Sequence, residues 1–169
     1  MGISAEQSEL QCRLALDRDM DTIYELYMDE SSNLYLTYDP ISKNNFEKIY
    51  DDVSSTNTLY VAEMGDKVIG SYRLIPKTYR QAHTIYLGGF VIDRSMKGKG
   101  IGTQILNHIR SESARQGKKR IELTVDIANE AAIKLYKKIG FVIEGHIRHS
   151  YKRSPENHYL DEYLMGLLL

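Results

Sequence analysis

Lys97-Gly98-Lys99-Gly100-Ile101-Gly102-Thr103 lies between strand-like residues ending near Ile92 and a helix whose apolar positions recur at Ile101, Ile105 and Ile109. Glycine tolerates positive φ and lets a ligand approach the backbone closely. A helix start adds free N–H groups and the positive end of the helix dipole, so such a turn can cradle a phosphate. Lys97, Lys99 and the Thr103 hydroxyl are further donors. A tight strand-to-helix turn would use the glycines alone, and the two lysines weigh toward an anion.

Residue order narrows the phosphate ligand. A nucleotide-hydrolase loop needs Gly-Lys followed by Ser or Thr after four spacers, and that order is absent. A dinucleotide fingerprint beginning Gly98-x-Gly100 needs glycine where Thr103 stands. Glu122 nevertheless lies near the expected ribose-binding distance, so an NAD-type reading stays open here.

Upstream, Cys12 to Leu16 reads as a short strand after a polar, poorly ordered lead-in over 1–10. Asp17 or Asp19 suits the N-cap of a first helix near 19–30, in which Ile23, Leu26 and Tyr27 share a face. A loop from Ser31 to Pro40 follows, and Ser42 caps a second helix to about Val53. Leu59 to Met64 and Val68 to Ile75 flank a Gly65-Asp66 hairpin turn. A longer strand near Ala82 to Ile92 is interrupted by Gly88-Gly89, the signature of a bulge or a close backbone approach.

Downstream, Gly117 ends the helix that the glycine turn opens. Ile121, Leu123 and Val125 alternate with polar residues as in a strand with one apolar face. A helix from Asn129 to Ile139 stops at Gly140. Two strands, Phe141 to Tyr151 and His158 to Leu168, close the chain around a Ser154-Pro155-Glu156-Asn157 turn. A mixed sheet covered on both faces is the economical architecture, as a single domain over 1–169.

Composition bounds the function. The chain has 169 residues, 42% hydrophobic and 27% charged, with a net charge of −1. That balance argues against nucleic-acid binding through overall charge. The single cysteine, Cys12, excludes an internal disulfide framework and fits a reducing, cytoplasmic setting. No apolar run reaches the length of a membrane span, and no signal-like segment opens the chain. The segment from Asp17 to Asp52 is acidic: its carboxylates outnumber Arg18, Lys43 and Lys48. With Tyr24, Tyr27, Tyr35 and Tyr38 it would favour a cationic partner, although solvated helix faces have the same composition.

Asn129 and Tyr136 decide what the phosphate belongs to. Seven residues apart on one helix, they lie on the same face about 10 Å apart along the axis. A tyrosine there offers a phenolic proton. The combination resembles the GNAT superfamily, the GCN5-related N-acetyltransferases. Lys97, Gly100 and Gly102 stand in its glycine motif, with lysine replacing arginine or glutamine. Asn129-Glu130-Ala131-Ala132-Ile133-Lys134-Leu135-Tyr136 and Gly140-Phe141 match its second motif. Glu144-Gly145, Arg148, Asp161-Glu162 and Met165 are similar to the closing hairpin of its small-substrate and protein N-terminal branches.

The resemblance implies an α/β (mixed α+β) GNAT fold with a mostly antiparallel sheet of about seven strands and about four helices on its two faces. It implies acetyl-CoA as co-substrate, no metal, and a primary amine as acceptor. Backbone around Phe90, Val91 and Ile92 would bind the pantetheine arm. The amides of Gly98, Lys99, Gly100, Ile101, Gly102 and Thr103, with Lys97, would hold the pyrophosphate. Asn129 would face the pantetheine, and Tyr136 would protonate the departing thiolate. A backbone N–H near Ile92 would polarise the thioester carbonyl.

The general base is a gap. Relatives place a glutamate where Tyr86 stands, and a neutral tyrosine is a poor base at pH 7. Glu122 and His83 are weak substitutes. The expected acceptor is a small amine of the polyamine, amino acid or aminoglycoside type. A protein N-terminus or lysine is the alternative, and a CoA-binding protein without catalysis is a third. A homodimer is also expected, with Leu164 to Leu169 pairing across the subunit boundary.

Overall fold

The computed structural model describes residues 9–154 and 158–169. Most of the expected lead-in and most of the Ser154–Asn157 turn lie outside the described residues. A seven-stranded sheet carries the fold: β1 (Leu10–Leu14), β2 (Leu59–Met64), β3 (Lys67–Pro76), β4 (Thr84–Ile92), β5 (Arg120–Asp126), β6 (Val142–Arg153) and β7 (His158–Leu168). Strand order is β1-β2-β3-β4-β5-β7-β6. β4 and β5 are the parallel pair among otherwise antiparallel neighbours. That order removes the doubly wound arrangement on which an NAD-type reading depends.

Helices α1 (Met20–Met28) and α3 (Lys43–Ser54) cover one face, α4 (Ile101–Arg115) and α5 (Glu130–Ile139) the other. On the first face Ile23, Leu26, Tyr27, Phe46 and Tyr50 pack on Leu59, Val61, Val68 and Val91. On the second, Ile101, Ile105, Leu106 and Ile109 of α4 join Ile133, Tyr136 and Ile139 of α5 over Ile69, Leu87, Ile121 and Leu123. Each of these aliphatic side chains contributes about 1.5–3 kcal/mol when fully buried. The helical periodicities in the sequence therefore correspond to two real apolar layers.

Some local expectations need correction. β1 begins at Leu10 and ends at Leu14, two residues earlier than expected. The loop after α1 contains a single helical turn, α2 (Glu30–Asn33), because the Asp29 carboxylate accepts from the Ser31 amide and starts it. Ser42 caps α3 through the Asn45 amide, as expected. Asp19 stands at the N-cap position of α1 but turns its carboxylate back, accepting from Leu16 N–H at 2.7 Å and from the Arg13 guanidinium at 2.7 and 3.0 Å. It ties β1 to α1 rather than capping. Burial opposes the charge of Asp19, but Arg13 and the Leu16 amide outweigh it and hold its carboxyl below the usual range.

The sheet order limits where the expected subunit pairing through Leu164 to Leu169 could form. Across Leu164–Leu168, β7 is hydrogen-bonded to β5, and β6 covers its other side from Leu164 to Gly166. From Leu164 to Gly166 it is an interior strand with no free edge, and beyond Gly166 only β5 pairs with it.

Candidate active site

β4 and β5 pair only over Thr84–Tyr86 with Arg120–Glu122. Beyond that point β4 follows β3 and β5 follows β7, so the two parallel strands part. The cleft between them has a volume of about 630 Å³. Of the expected ligand-binding residues, Phe90, Val91, Ile92, Lys97, Gly98, Gly100, Ile101, Gly102, Thr103, Asn129 and Tyr136 line it. Lys99 does not: its side chain is exposed and lies outside the lining.

The glycine turn forms one part of the cleft wall. Gly98 and Gly100 have φ of +77° and +78°, and no heavy atom lies within 4 Å of where a Cβ would stand on either. Gln104 is the residue whose amide reaches back to the Gly100 carbonyl, at 3.1 Å. The amides of Ile101, Gly102 and Thr103 precede it and have no intrahelical acceptor. Open space over two left-handed glycines, beside a helix start, fits a pyrophosphate. Gly102 serves another purpose, since a Cβ there would stand 2.9 Å from Leu135 Cδ2 and 3.0 Å from Ile92 Cδ1. The Lys97 ammonium bonds the hydroxyls of Ser31 and Ser32 at 3.1 and 3.3 Å, so it tethers α2 to the turn.

The middle of the cleft belongs to α5 and the open edge of β4. Asn129 is the N-cap of α5, and its side-chain oxygen accepts from the Ala132 amide at 3.2 Å. It therefore stands just before the helix rather than on its face, with its two N–H donors unused by the cap. Tyr136 is 7% exposed, between the rings of Phe90 at 6.4 Å and Phe141 at 5.7 Å. Burial, with the nearby Tyr86, raises its pKa well above that of a free phenol, so it keeps its proton.

Tyr86 occupies the position where a base was sought. Its hydroxyl lies 2.9 Å from Thr124 Oγ1, a bond across the point where the strands begin to part. Glu122 does not replace it, being 9% exposed and paired with both Lys77 and Arg120. Burial opposes its charge, and those two cations overcome that and hold its pKa below the usual range. A carboxylate so engaged is a structural anion and a weak base. His83 is exposed in the turn before β4, away from the cleft lining.

Sequence reasoning missed two carboxylates of the cleft. Asp126 and Glu162 face each other across the β5–β7 ladder, and both line the cleft. Asp126 is 4% exposed, accepts from the Ala128 amide at 2.7 Å and the Tyr151 hydroxyl, and lies 3.7 Å from Arg153. Glu162 accepts from the Ser150 hydroxyl. The alternation Glu122, Thr124, Asp126 marks one strand face and was available in the sequence; the juxtaposition with Glu162 was not. No acid of the 17–52 segment lines this cleft; from that segment Ser31, Ser32, Tyr35, Leu36 and Thr37 do. Of the acids and tyrosines expected to favour a cationic partner, Tyr35 is the one that lines this cleft.

A bridge runs beside Asp126. Arg153 on β6 donates to the Leu34 carbonyl at 2.6 Å, and the Ser154 amide donates to Asp39 Oδ1 at 3.1 Å. Both join the closing hairpin to the segment after α2.

A parted pair of parallel strands, with a glycine-rich helix start on one side and a buried tyrosine on the other, is the arrangement of an acyl-CoA-dependent transferase. Residues 20–141 match the Acetyltransferase (GNAT) family, and the chain belongs to it. N-alpha-acetyltransferase 50 of Danio rerio is 31% identical over 116 residues, covering 68% of this chain and 68% of that protein. An uncharacterized N-acetyltransferase of Methanocaldococcus jannaschii is 34% identical over 61 residues, 34% of this chain; the match spans only 27% of that relative's length. Among solved structures, spermidine N-acetyltransferase from Vibrio cholerae, in complex with CoA and spermine, superposes with a TM-score of 0.81 at 25% identity, covering 95% of this chain and 96% of that one. Among the described residues, no group of three His, Cys, Asp or Glu side chains is placed to hold a metal, and no helix is long and apolar enough to cross a membrane.

Proposed function

We propose that residues 1–169 form one acetyltransferase domain that moves the acetyl group of acetyl-CoA to a primary amine of a small molecule. Acetyl-CoA supplies an activated carbonyl carbon and a thiolate leaving group. The side of β4 that β5 leaves open from Phe90 to Ile92 receives the pantetheine much as a sheet edge receives an added strand. The amides from Gly98 to Thr103 hold the pyrophosphate, and the unused N–H groups of Asn129 face the pantetheine. Attack by a neutral amine forms the C–N bond as the C–S bond breaks. The nitrogen releases a proton to water, and Tyr136 donates one to the sulfur.

The observation that carries the choice of a small acceptor is the bridge from Arg153 to the Leu34 carbonyl and from Ser154 to Asp39. It ties the closing hairpin to the segment after α2 beside Asp126, which would hinder a polypeptide from running on there. Glu162 beside it, with the engaged Asp126 behind, suits an amine of the polyamine, amino acid or aminoglycoside type. A panel of such amines, with release of free CoA as the readout, tests the proposal; inertness of all of them overturns it.

Acetylation of a protein N-terminus is the second reading, favoured by the likeness to N-alpha-acetyltransferase 50. Turnover of short peptides with free N-termini, in the absence of turnover of small amines, would establish it. A cytoplasmic location and a homodimer complete the proposal, with cell fractionation and light scattering as their measurements.

A further inference from the structure

β4 leaves its register with β3 between Val91, opposite Ser71, and Gly88, opposite Arg73. Gly89 and Phe90 therefore stand against a single residue, Tyr72. Gly89 adopts φ +58°, which a side chain rarely permits. The Tyr27 hydroxyl, carried on α1 from the other face of the sheet, lies 3.4 Å from the Gly89 carbonyl oxygen. A Cβ on Gly89 would come within 2.8 Å of that hydroxyl. The phenol thus fills the space over the glycine and donates to its carbonyl.

A trans peptide directs the carbonyl of one residue and the N–H of the next to opposite sides. With the Gly89 carbonyl held toward α1, the Phe90 N–H faces away from α1. The neighbouring side chains divide between the two faces of the sheet: Val91 packs with α1, whereas the Phe90 ring meets Tyr136 in the cleft. Tyr27 is 5% exposed, and its ring is set against Phe46 at 5.7 Å and Tyr38 at 6.5 Å, so the hydroxyl has little freedom to leave. Burial outweighs the neighbouring Ser71 hydroxyl and pushes its pKa up to about 12, which keeps it a donor at neutral pH.

We propose that Tyr27 is a positioning residue for the transfer: by holding the Gly89 carbonyl it aims the Phe90 N–H at the carbonyl oxygen of the bound thioester. This rests on the acetyl-transfer reading above. It places the polarising amide at the bulge, two residues before Ile92.

The test is Tyr27→Phe, which keeps the ring and deletes the hydroxyl. Its probe is S-(2-oxopropyl)-CoA, a ketone analogue of acetyl-CoA, labelled with ¹³C at the carbonyl. The infrared carbonyl band of the probe on the wild-type protein should lie below its frequency in an aprotic solvent, and the variant should lose at least half of that displacement. With a turned-over amine, kcat should fall about tenfold, a fraction of the loss when a whole oxyanion donor is removed. KM for acetyl-CoA should stay within about twofold, because the pyrophosphate and pantetheine contacts remain. An unchanged band together with unchanged kcat would reduce Tyr27 to a packing residue and overturn the proposal. The band is read without an acceptor, so inertness of the wild type toward amines would count against the transfer reading alone.

Discussion

Gly102→Ala separates what the glycine turn does for the fold from what it does for the ligand. Residue 102 lies in the first turn of α4, where alanine is favoured over glycine by about 1 kcal/mol. Against that gain, the new Cβ would sit 2.9 Å from Leu135 Cδ2 and 3.0 Å from Ile92 Cδ1. Overpacking of this kind costs about 1–3 kcal/mol. The net expectation is a loss of stability between nothing and about 2 kcal/mol. Leu135 and Ile92 both line the cleft, so the side chains that give way do so at the expense of ligand space. CoA should therefore bind about tenfold more weakly, roughly 1.4 kcal/mol. Urea unfolding, read from the midpoint at constant slope, measures the first quantity, and calorimetric titration with CoA the second. Gly100→Ala is the contrast. It meets no neighbour but must hold φ +78°, so it should lose about 1–2 kcal/mol through backbone strain. A Gly102→Ala protein that is about 1 kcal/mol more stable, with CoA affinity unchanged, would refute the close-approach argument.

Tyr136→Phe should lower kcat roughly tenfold or more with little change in KM for acetyl-CoA, and unchanged turnover would remove the phenol from the chemistry. Because burial raises the Tyr136 pKa, the wild-type kcat should show no alkaline decline from this group up to about pH 10 in a pH–rate profile. Asp19→Ala breaks a nearly buried ion pair and should cost about 3 kcal/mol in chemical denaturation at pH 7. The folded-state pKa of Asp19 is depressed, so its contribution is complete above the unfolded value near 4 and is lost as pH falls through the folded one. The stability gap between wild type and variant should narrow below about pH 4; a gap constant down to pH 2 would contradict the pairing. Glu122→Gln should leave kcat within about twofold while lowering the melting temperature, since Lys77 and Arg120 lose a charged partner without any change at the cleft. A tenfold fall in kcat would make Glu122 a candidate base again.

The legible parts of the site were those written in local geometry. The glycine turn could be read because positive φ and a helix start leave marks in consecutive residues, and Gly98 and Gly100 carry those angles. The Gly88-Gly89 interruption announced the bulge for the same reason. Asp19 marks the limit of local pattern. Its place before an amphipathic helix reads as a cap, but the Arg13 guanidinium arriving from β1 claims the carboxylate instead. Glu122 likewise looks like a polar face residue until Lys77 and Arg120 close on it.

By itself, the sequence determined the two helical layers, most of the strands, the phosphate-binding turn and the family, because each depends on periodicity or spacing within a short segment. Tertiary structure decided which strands part, which carboxylates line the cleft and how the closing hairpin is tied to the segment after α2. Asp126 meets Glu162 only because β7 inserts beside β5, and Arg153 reaches the Leu34 carbonyl across 119 residues of chain. Tyr27 finds Gly89 through the packing of α1 on the sheet. Such contacts are set by how whole elements bury their apolar faces against one another, a property of the assembled layers that no single stretch of sequence contains.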